Sequence, residues 1–303
     1  MPELPEVETV ARGLDMRVRG DFIDSVWLGS KPEPLKSPPA EIVATLQSRR
    51  IDAVRRVGKH IVFDLSPNPP KPNSASSRPS RRPGSLPKNS PKPTPARHSP
   101  AAPSPDFAQW IVHLGMTGRV LVTAPSEPLE KHTHAVVSLR SGRELRFVDP
   151  RRFGRLSVAR QFAAPGSEPL DVALDRFMSL FRGRKTPIKS ALLNQGLLSG
   201  VGNIYADESL FRAGIRPRRR AASLTRDSLR RLYSSVQEVL REAIALGGSS
   251  ISDYVNSDGE EGFFQLQHRV YGREGEPCLT CKTPVKRIVI AGRSSHYCPR
   301  CQK

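Results

Sequence analysis

The sequence predicts an α+β protein of several domains, and three observations from different parts of the chain support this. The first half opens with one amphipathic stretch and continues in short runs rich in β-forming residues. The second half shows helical periodicity, and all four cysteines lie at its end, from residue 278 onward. A chain of 303 residues is long enough for two domains with hydrophobic cores of their own.

The composition points to a polyanionic partner. The formal net charge is +19, from 48 Lys and Arg against 29 Asp and Glu. Nucleic acid is favoured over membrane, because no apolar run approaches the ~20 residues that a membrane span needs. The acidic N-terminus lacks a signal-peptide pattern, so we expect a cytoplasmic location.

The N-terminal part begins with a predicted helix from Pro5 to about Val18, in which apolar residues recur at three- and four-residue spacing. Gly20 ends this helix. Short elements follow, which we predict as five strands and one helix: strands at 22–28, 51–57, 60–65, 134–139 and 144–148, the last two joined by a turn at Ser141-Gly142, and a helix at 41–47. The run at 60–65 alternates imperfectly, as a strand buried on both faces does.

Residues 66–106 break this pattern. The stretch holds thirteen of the chain's 29 prolines and seven Lys or Arg residues, with Asp106 as its one acid. Because it has no periodic apolar face, burial cannot offset the entropy of ordering it, and we predict that it is disordered. It is either a tolerated surface insertion or a basic tether that raises nonspecific affinity for nucleic acid.

The second half is predicted to be helical. Two short helices, at 174–182 and 187–193, precede a longer helix that Thr225 caps and Gly247-Gly248 ends. We expect an N-terminal domain, a linker, a helical domain and a C-terminal finger, with bounds at 1–163, 164–171, 172–262 and 263–303.

Two Cys-x2-Cys pairs, sixteen residues apart, end the chain: Cys278, Cys281, Cys298 and Cys301. In a reducing compartment such clustering favours a metal over disulfides. The spacing suits tetrahedral ligation of one Zn²⁺, and a zinc with four protein ligands is structural. A strand at 286–290 and a turn at Gly292-Arg293 predict a hairpin between the two pairs.

The first ten residues, MPELPEVETV, carry groups suited to amine chemistry. A start methionine before a small residue is usually trimmed, which would leave Pro2 with a free secondary amine. With a reference pKa near ~7.7–8.0, part of that amine is neutral at physiological pH and able to form a Schiff base. Glu3 is positioned to shuttle protons. The alternative is an ordinary helix start, with proline in the first turn and acids facing the helix dipole.

Several blocks together resemble one protein family. PELPEVET, HLGMTG at 113–118, DPRRFG at 149–154, NQGLLSGVGNIYADE at 194–208 and the cysteine pairs occur in the order seen in bacterial formamidopyrimidine-DNA glycosylases, which excise 8-oxoguanine and ring-opened purines. The resemblance covers nearly the whole chain except 66–106. It implies an N-terminal β-sandwich with flanking helices, a helix-two-turn-helix domain and a zinc-finger hairpin.

The resemblance also implies an activity and a partner. The protein would be a bifunctional glycosylase and lyase that binds double-stranded DNA containing oxidised purines in the cleft between its domains. It would act as a monomer without contact to a membrane, and its one cofactor would be a structural Zn²⁺.

Individual residues receive roles from the same resemblance. Pro2 would attack the sugar, Glu3 would assist proton transfer, and Lys59 and Arg293 would bind phosphates at the catalytic site. The other predicted DNA contacts are His113 and Asn203 on the backbone and Lys189 and Glu208 near the lesion. Met116 would enter the space left by the flipped nucleotide, Arg151 would reach the orphaned cytosine opposite the lesion, and Phe153 would wedge between bases. Four of these have structural alternatives: a solvated turn lysine for Lys59, a buried histidine for His113, a core side chain for Met116 and a salt bridge for Glu208.

Two other functions stay open at this point. One is an endonuclease VIII-type enzyme that acts on oxidised pyrimidines, against which Leu4 and Met116 together with Arg151 and Phe153 argue. The other is a noncatalytic zinc-containing DNA-binding protein, and the presence of Pro2, Glu3 and Lys59 argues against it.

Overall fold

The computed structural model describes residues 1–67, 106–249 and 262–303. The segment predicted to be disordered lies outside the described residues, apart from 66, 67 and 106. Ser66 and Pro67 belong to a strand, so the regular structure continues two residues further than the sequence pattern indicated.

The N-terminal domain is a β-sandwich, as predicted, with two flanking helices. Its elements are α1 (Leu4–Val18), β1 (Ile23–Leu28), α2 (Pro39–Leu46), β2 (Arg49–Val57), β3 (His60–Pro67), β4 (Ala108–His113), β5 (Arg119–Thr123), β6 (Thr133–Leu139), β7 (Glu144–Val148) and β8 (Arg155–Ala159). One antiparallel sheet has the order β1-β6-β7-β5, and the other has the order β2-β3-β4-β8.

The sandwich core forms because each sheet turns an apolar face toward the other. Phe63 and Trp110 from one sheet and Phe147 from the other are buried in a single cluster. Helix α1 adds its apolar stripe, with Val7 and Leu14 almost fully buried. Strand β3 is buried on both faces, which explains its nearly continuous apolar run.

Strands β3 and β4 pair directly, from His60 opposite His113 to Leu65 opposite Ala108. The chain therefore leaves and re-enters the sheet at the same end of two adjacent strands. The five predicted strands do not include β4, β5 or β8. Strands β5 and β8 have only one fully buried residue each and lack a clear apolar pattern.

The helical domain consists of α3 (Leu174–Phe181), α4 (Ile188–Leu192), α5 (Asn203–Arg212) and α6 (Arg226–Ala245). Thr225 caps α6 as predicted, since its side chain accepts a hydrogen bond from the Ser228 backbone at 3.2 Å. Leu4, which belongs to α1, is buried in the core of this domain. The N-terminus of the chain is thereby anchored to both domains.

The C-terminal part forms a hairpin of β9 (Lys286–Ile290) and β10 (Arg293–Tyr297), flanked by the two cysteine pairs. We call this β9–β10 unit the zinc hairpin. Ala291 and Gly292 have φ values of 47° and 75° and form its tight turn, so Arg293 is the first residue of β10. Across the described part of the chain, no helix has both the length and the apolar character required to cross a membrane.

Candidate active site and nucleic-acid interface

A cavity of about 530 Å³ lies between the sandwich, the helical domain and the zinc hairpin. All three parts of the chain contribute to its wall, which includes Met1, Glu3, Lys59, Met116, Asn203, Ile204, Tyr271 and Arg293. Five residues predicted for the site from the sequence meet here, although they are spread from residue 3 to residue 293. We call this space the central cavity.

Pro2 is buried beneath Met1, whose half-exposed side chain lines the central cavity. The backbone that follows is held firmly. Glu3 N donates to the Glu6 carboxylate at 2.8 Å, and Leu4 N donates to Gly200 O at 3.0 Å. Removal of Met1 would turn the Pro2 nitrogen from an amide into a secondary amine beside the cavity.

Glu3 is 4% exposed and lies at the N-terminus of α5, where its Oε1 accepts a hydrogen bond from Ile204 N at 3.1 Å. A Cβ at Gly202 would lie 2.2 Å from the Glu3 carboxyl carbon, so this approach requires glycine. Burial, opposed by the charge of Lys59, raises the pKa of Glu3 to about 7. The carboxyl group can therefore both give and take protons near neutral pH.

Glu6 plays a part that the sequence did not indicate. Its carboxylate accepts hydrogen bonds from Glu3 N, from the Tyr205 hydroxyl and from Ser249 N, the last at 2.8 Å. Burial raises the pKa of this group. The local signal, an acid three residues after Glu3, was visible as a helix-start pattern, but Tyr205 and Ser249 lie about 200 or more residues away in the chain.

Lys59 lies at the tip of the β2–β3 hairpin, where Gly58 has a φ of 59°. It is only 7% exposed, and burial lowers the pKa of its ammonium group while Glu3 and Glu6 raise it. Among the described residues it has no hydrogen bond and no ion pair within 4.0 Å. A buried ammonium without a protein partner is a candidate for binding an anion.

The predicted intercalating residues come from two adjoining turns. Met116 and Phe153 are 39% and 47% exposed, and the Arg151 guanidinium lies 4.8 Å from the centre of the Phe153 ring. Asp149, which the sequence reasoning did not single out, joins the turns. Its fully buried carboxylate accepts hydrogen bonds from Thr117 Oγ1 at 2.6 Å and from Gly154 N at 2.7 Å.

His113 is half-buried and packs against His60, with 4.9 Å between the ring centroids. Its Nδ1 accepts a hydrogen bond from Gly115 N at 3.1 Å, which assigns the ring proton to Nε2. Burial first, then the neighbouring His60, lowers the pKa of His113 to about 4. The neutral ring consequently retains one N–H donor at neutral pH.

Asn203 is the first residue of α5, but it is not the cap. Gly202 occupies the cap position, and the Glu3 carboxylate takes the place of a capping side chain. The Asn203 amide instead donates to Ser294 Oγ at 3.2 Å, beside Arg293 on the zinc hairpin. Asn203 thus connects the helical domain with this hairpin at the wall of the central cavity.

Lys189, which was predicted to lie near the lesion, is held in an internal ion pair. Its side chain is fully buried, and its Nζ lies 2.7 Å from Asp207 Oδ1 and donates to Ser294 O at 2.6 Å. Asp207 also accepts a hydrogen bond from His296 N at 2.8 Å. Lys189 and Asp207 bind each other and the backbone of β10, so this ion pair attaches β10 to the helical domain.

Glu208, also predicted to lie near the lesion, is not among the residues that line the central cavity. It is 3% exposed, and its carboxylate accepts backbone hydrogen bonds from Arg269, Val270 and Tyr271 at 2.8–3.0 Å. The salt bridge considered as the alternative is replaced by these three amides. Glu208 holds the segment that brings Tyr271 to the cavity wall.

The four cysteines form a compact cluster in which all Sγ atoms lie within 4.8 Å of one another. Sγ–Sγ distances of 3.9 and 3.4 Å join Cys278 to Cys301 and Cys281 to Cys298. Tetrahedral Zn²⁺ with bonds of about 2.3 Å requires about 3.8 Å between thiolates, so this donor set fits the ion. Cys278 and Cys298 also belong to a small apolar cluster with Val270 and Val285.

Family models match three successive parts of the chain. The formamidopyrimidine-DNA glycosylase N-terminal domain matches residues 1–156, the H2TH domain of the same enzymes matches 164–255, and a zinc finger found in FPG and IleRS matches 275–303. Together with the cysteine cluster, the last match identifies the site of one structural Zn²⁺.

Individual relatives agree over the full length. The formamidopyrimidine-DNA glycosylase of Solibacter usitatus is 42% identical, and that of Herpetosiphon aurantiacus is 37% identical, each over 100% of both chains. The crystal structure of MutM (Fpg) from Thermus thermophilus is 39% identical, with a TM-score of 0.77 over 99% of this chain and 98% of that chain.

A further structure, of a Lactococcus lactis Fpg variant in complex with Fapy-dG containing DNA, is 30% identical, with a TM-score of 0.80 over 100% of both chains. These similarities extend over sequence, domain order and fold, and the N-terminal family model alone spans half of the chain. The protein is therefore an enzyme that belongs to the formamidopyrimidine-DNA glycosylase family.

Proposed function

We propose that this protein removes oxidised purines, including 8-oxoguanine and formamidopyrimidines, from double-stranded DNA and then cleaves the strand. One observation carries the proposal: Glu3, with a pKa of about 7, lines the cavity beside the N-terminus together with Lys59, whose ammonium group has no hydrogen bond or close ion pair to any described residue. Lactococcus lactis relatives have been solved with Fapy-dG containing DNA and with abasic-site DNA, which supports the substrate class.

The first step requires the free amine of Pro2. Its lone pair attacks C1′ of the flipped deoxyribose, and the bond from C1′ to the purine breaks, so the base leaves with that electron pair. The Pro2 nitrogen then gives up its proton, which balances the proton that the departing base takes. The sugar ring then opens as the C1′–O4′ bond breaks, giving an iminium between Pro2 and C1′. Glu3 in its protonated form supplies the proton to O4′, and its pKa suits this exchange.

Strand cleavage follows from the charge on the iminium, which acidifies C2′. Loss of a C2′ proton expels the 3′ phosphate, and a second elimination expels the 5′ phosphate. Water finally hydrolyses the imine and restores the Pro2 amine. The Lys59 ammonium, the Arg293 guanidinium and the His113 Nε2–H are the donors available for the flanking phosphates, and their different chemistry allows contacts at several points of a bent backbone.

The exposed side chains of Met116, Arg151 and Phe153 supply what base extrusion needs. Apolar groups can fill the space of the missing nucleotide, and a guanidinium can donate to the edge of the orphaned base. The cost of unstacking is a few kcal/mol, which such contacts offset. Their support on the interlocked turns around Asp149 favours a rigid wedge.

Zinc has a purely structural part in this proposal. The four cysteines would hold the ion, which stabilises the fold of the zinc hairpin and thereby the position of Arg293. We also propose that the protein acts on DNA as a monomer and that the domain bounds derived from the sequence apply. The cytoplasmic location stays a prediction.

Borohydride trapping tests the chemistry directly. The processed protein, with a proven N-terminal Pro2, is mixed with a duplex carrying 8-oxoguanine opposite cytosine and then reduced. We expect a covalent complex that maps to Pro2. The matched control is the same protein with its α-amine acetylated or with Met1 retained, which should give none.

Two outcomes would contradict the proposal. Full lyase activity in a chain proven to retain Met1 would exclude the amine mechanism. Trapping on a thymine-glycol duplex in preference to the 8-oxoguanine duplex would assign the enzyme to oxidised pyrimidines instead.

A further inference from the structure

The turn that carries Lys59 is attached to the segment between the two large domains. Gly58 N donates to Glu168 Oε1 at 2.6 Å, and Glu168 lies in the stretch that connects β8 with α3. Gly58 adopts the left-handed conformation, with a φ of 59°. Gly58 immediately precedes Lys59, whose side chain lines the central cavity.

Arg56 strengthens the attachment. Its side chain is only 6% exposed, and its Nη1 donates to Glu168 Oε2 at 2.7 Å and to Gly58 O at 3.1 Å. Its Nε donates to Glu8 of α1 at 2.8 Å. Both the N–H and the C=O of Gly58 are therefore held by one connected set of charges, so the turn has little freedom to change its direction.

Glu168 is itself held from the side of the helical domain. Ser167 N donates to Leu197 O at 3.0 Å, and Ser199 N donates to Ser167 O at 2.9 Å. The adjoining Gly166 packs so closely that a Cβ there would lie 2.4 Å from Gln195 O. The chain from 195 to 203 leads directly into the N-terminus of α5, where Glu3 is bound.

We propose that Glu168 is a positioning residue that sets the Lys59 ammonium relative to Glu3 and the α5 N-terminus. The inference rests on the proposed function, because that function is what assigns a DNA phosphate to Lys59 as its ligand. Lys59 has no side-chain partner among the described residues, so the orientation of its turn determines where its charge lies. Glu168 sets that orientation through the backbone of Gly58 and through Arg56.

The test is a double-mutant cycle on the full-length, processed, zinc-loaded protein. Glu168→Gln keeps the shape of the side chain but removes the charge that holds Arg56, and Glu168→Ala removes both contacts. Each is measured alone and in combination with Lys59→Met, with an 8-oxoguanine duplex as substrate. The matched control is Glu242→Gln. Glu242 lies on α6 and forms an exposed ion pair with Arg212 of α5, and the substitution removes the charge of this carboxylate.

We expect Glu168→Gln to lower kcat/KM about 10- to 100-fold, since a displacement of about 1 Å at a reacting site has an effect of this size. Glu242→Gln should leave kcat/KM unchanged. In the Lys59→Met background Glu168→Gln should have almost no further effect, because both substitutions remove the same interaction. Glu168→Gln should unfold at a lower temperature than Glu242→Gln, because Arg56 is buried and keeps only Glu8 as a charged partner, but it should be folded at the assay temperature.

Additive effects of Glu168→Gln and Lys59→Met would overturn the inference, since Glu168 would then act by another route. A Lys59→Met variant with full activity would overturn it as well. The proposed function fails separately, if the wild-type protein forms no covalent complex with either lesion duplex on reduction. If Glu168→Ala fails to fold, the Glu168→Gln cycle still decides between the outcomes.

Discussion

Two buried lysines have similar predicted roles at the DNA interface but differ in their surroundings. Lys189 is fully buried, paired with Asp207 at 2.7 Å and bound to a backbone carbonyl. Lys59 is nearly as buried, yet in the described part of the chain its ammonium has neither a hydrogen bond nor a close ion pair. Glu3 beside it has one carboxyl oxygen, Oε2, without a hydrogen-bond partner in the described protein.

This difference separates a structural ion pair from a site prepared for a ligand. A buried charge whose partners are all within the protein contributes to the position of the elements that it joins. A buried charge left without a partner is costly, and it persists where a ligand completes its interactions. The resemblance assigned both lysines to the DNA interface, and their environments distinguish them.

The strongest test of this distinction is Glu3→Gln. The amide keeps the size of the side chain and can still accept the Ile204 hydrogen bond, but it cannot donate and regain a proton. We expect kcat/KM on the 8-oxoguanine duplex to fall by about 10²–10⁴, the usual contribution of a general acid–base group. Asp207→Asn is the matched variant from the other region, and it should lose stability more than it loses chemistry. If Glu3→Gln mainly lost stability and Asp207→Asn mainly lost activity, the distinction between the two sites would be wrong.

Lys189→Met should show the largest effect on stability. It leaves the Asp207 carboxylate buried without its cation, which costs about 3–5 kcal/mol in the free energy of unfolding. Lys59→Met should change that free energy by less than about 1 kcal/mol, because the substitution leaves no hydrogen-bonded or ion-paired group behind among the residues that the structure describes. Urea unfolding of both variants measures this. Equal destabilisation would mean that Lys59 also has a structural role.

The pH dependence of stability sharpens the contrast further. The folded pKa of Glu3 is about 7, against 4.5 for the free side chain, so the unfolded state loses its proton first as the pH rises. This contribution to stability is therefore present below pH 4.5 and is lost as the pH rises to about 7. The lost free energy is roughly 3 kcal/mol, at about 1.4 kcal/mol per pH unit.

The measurement is the difference in unfolding free energy between wild type and Glu3→Gln across this pH range. His113 and His268 have pKa values lowered to about 4, so their unfolded forms take up a proton first as the pH falls below 6.5. Their contribution to stability is therefore lost as the pH falls, whereas that of Glu3 is lost as the pH rises. Their effect is common to both proteins and cancels in the difference. A difference that does not change with pH would exclude a raised pKa for Glu3.

The smallest effect is expected at the exposed wedge. Phe153→Ala removes a half-exposed ring, so stability should change by no more than about 0.5 kcal/mol. Affinity for a duplex with an abasic-site analogue should fall roughly tenfold, because base–aromatic contacts contribute about 1–3 kcal/mol. Trp27→Ala, at an equally exposed aromatic of β1, is the control and should bind as wild type does. Equal losses in both variants would argue against a wedge.

Much of the fold was predictable because its signals are local. The apolar stripe of α1, the cap at Thr225 and the Gly142 turn each depend on a few neighbouring residues, and the structure confirms all three. The β-sandwich was predicted from the resemblance. Strands β5 and β8 were missed because their burial comes from neighbours in the sheet rather than from their own pattern.

The candidate site was predictable only in part. Glu3, Lys59, Met116, Asn203 and Arg293 line the central cavity, but Lys189 and Glu208 point into the protein. Charged residues in a motif are expected at a surface, and only the position of distant partners shows that they are used internally. Asp149 could have been noticed, because Asp before Pro is a turn signal within the same motif.

The sequence by itself determined the order of domains and the four-cysteine zinc site, since each depends on spacing or on short motifs. The tertiary structure alone decided which buried charges are paired. Asp207 reaches His296, Glu208 reaches residues 269–271, and Glu168 reaches Gly58, across 61 to 110 positions of the chain. Burial and the pKa shifts that follow depend on such long-range contacts, so only the folded chain distinguishes Lys189, which is paired with Asp207, from Lys59, which has no hydrogen bond or close ion pair among the described residues.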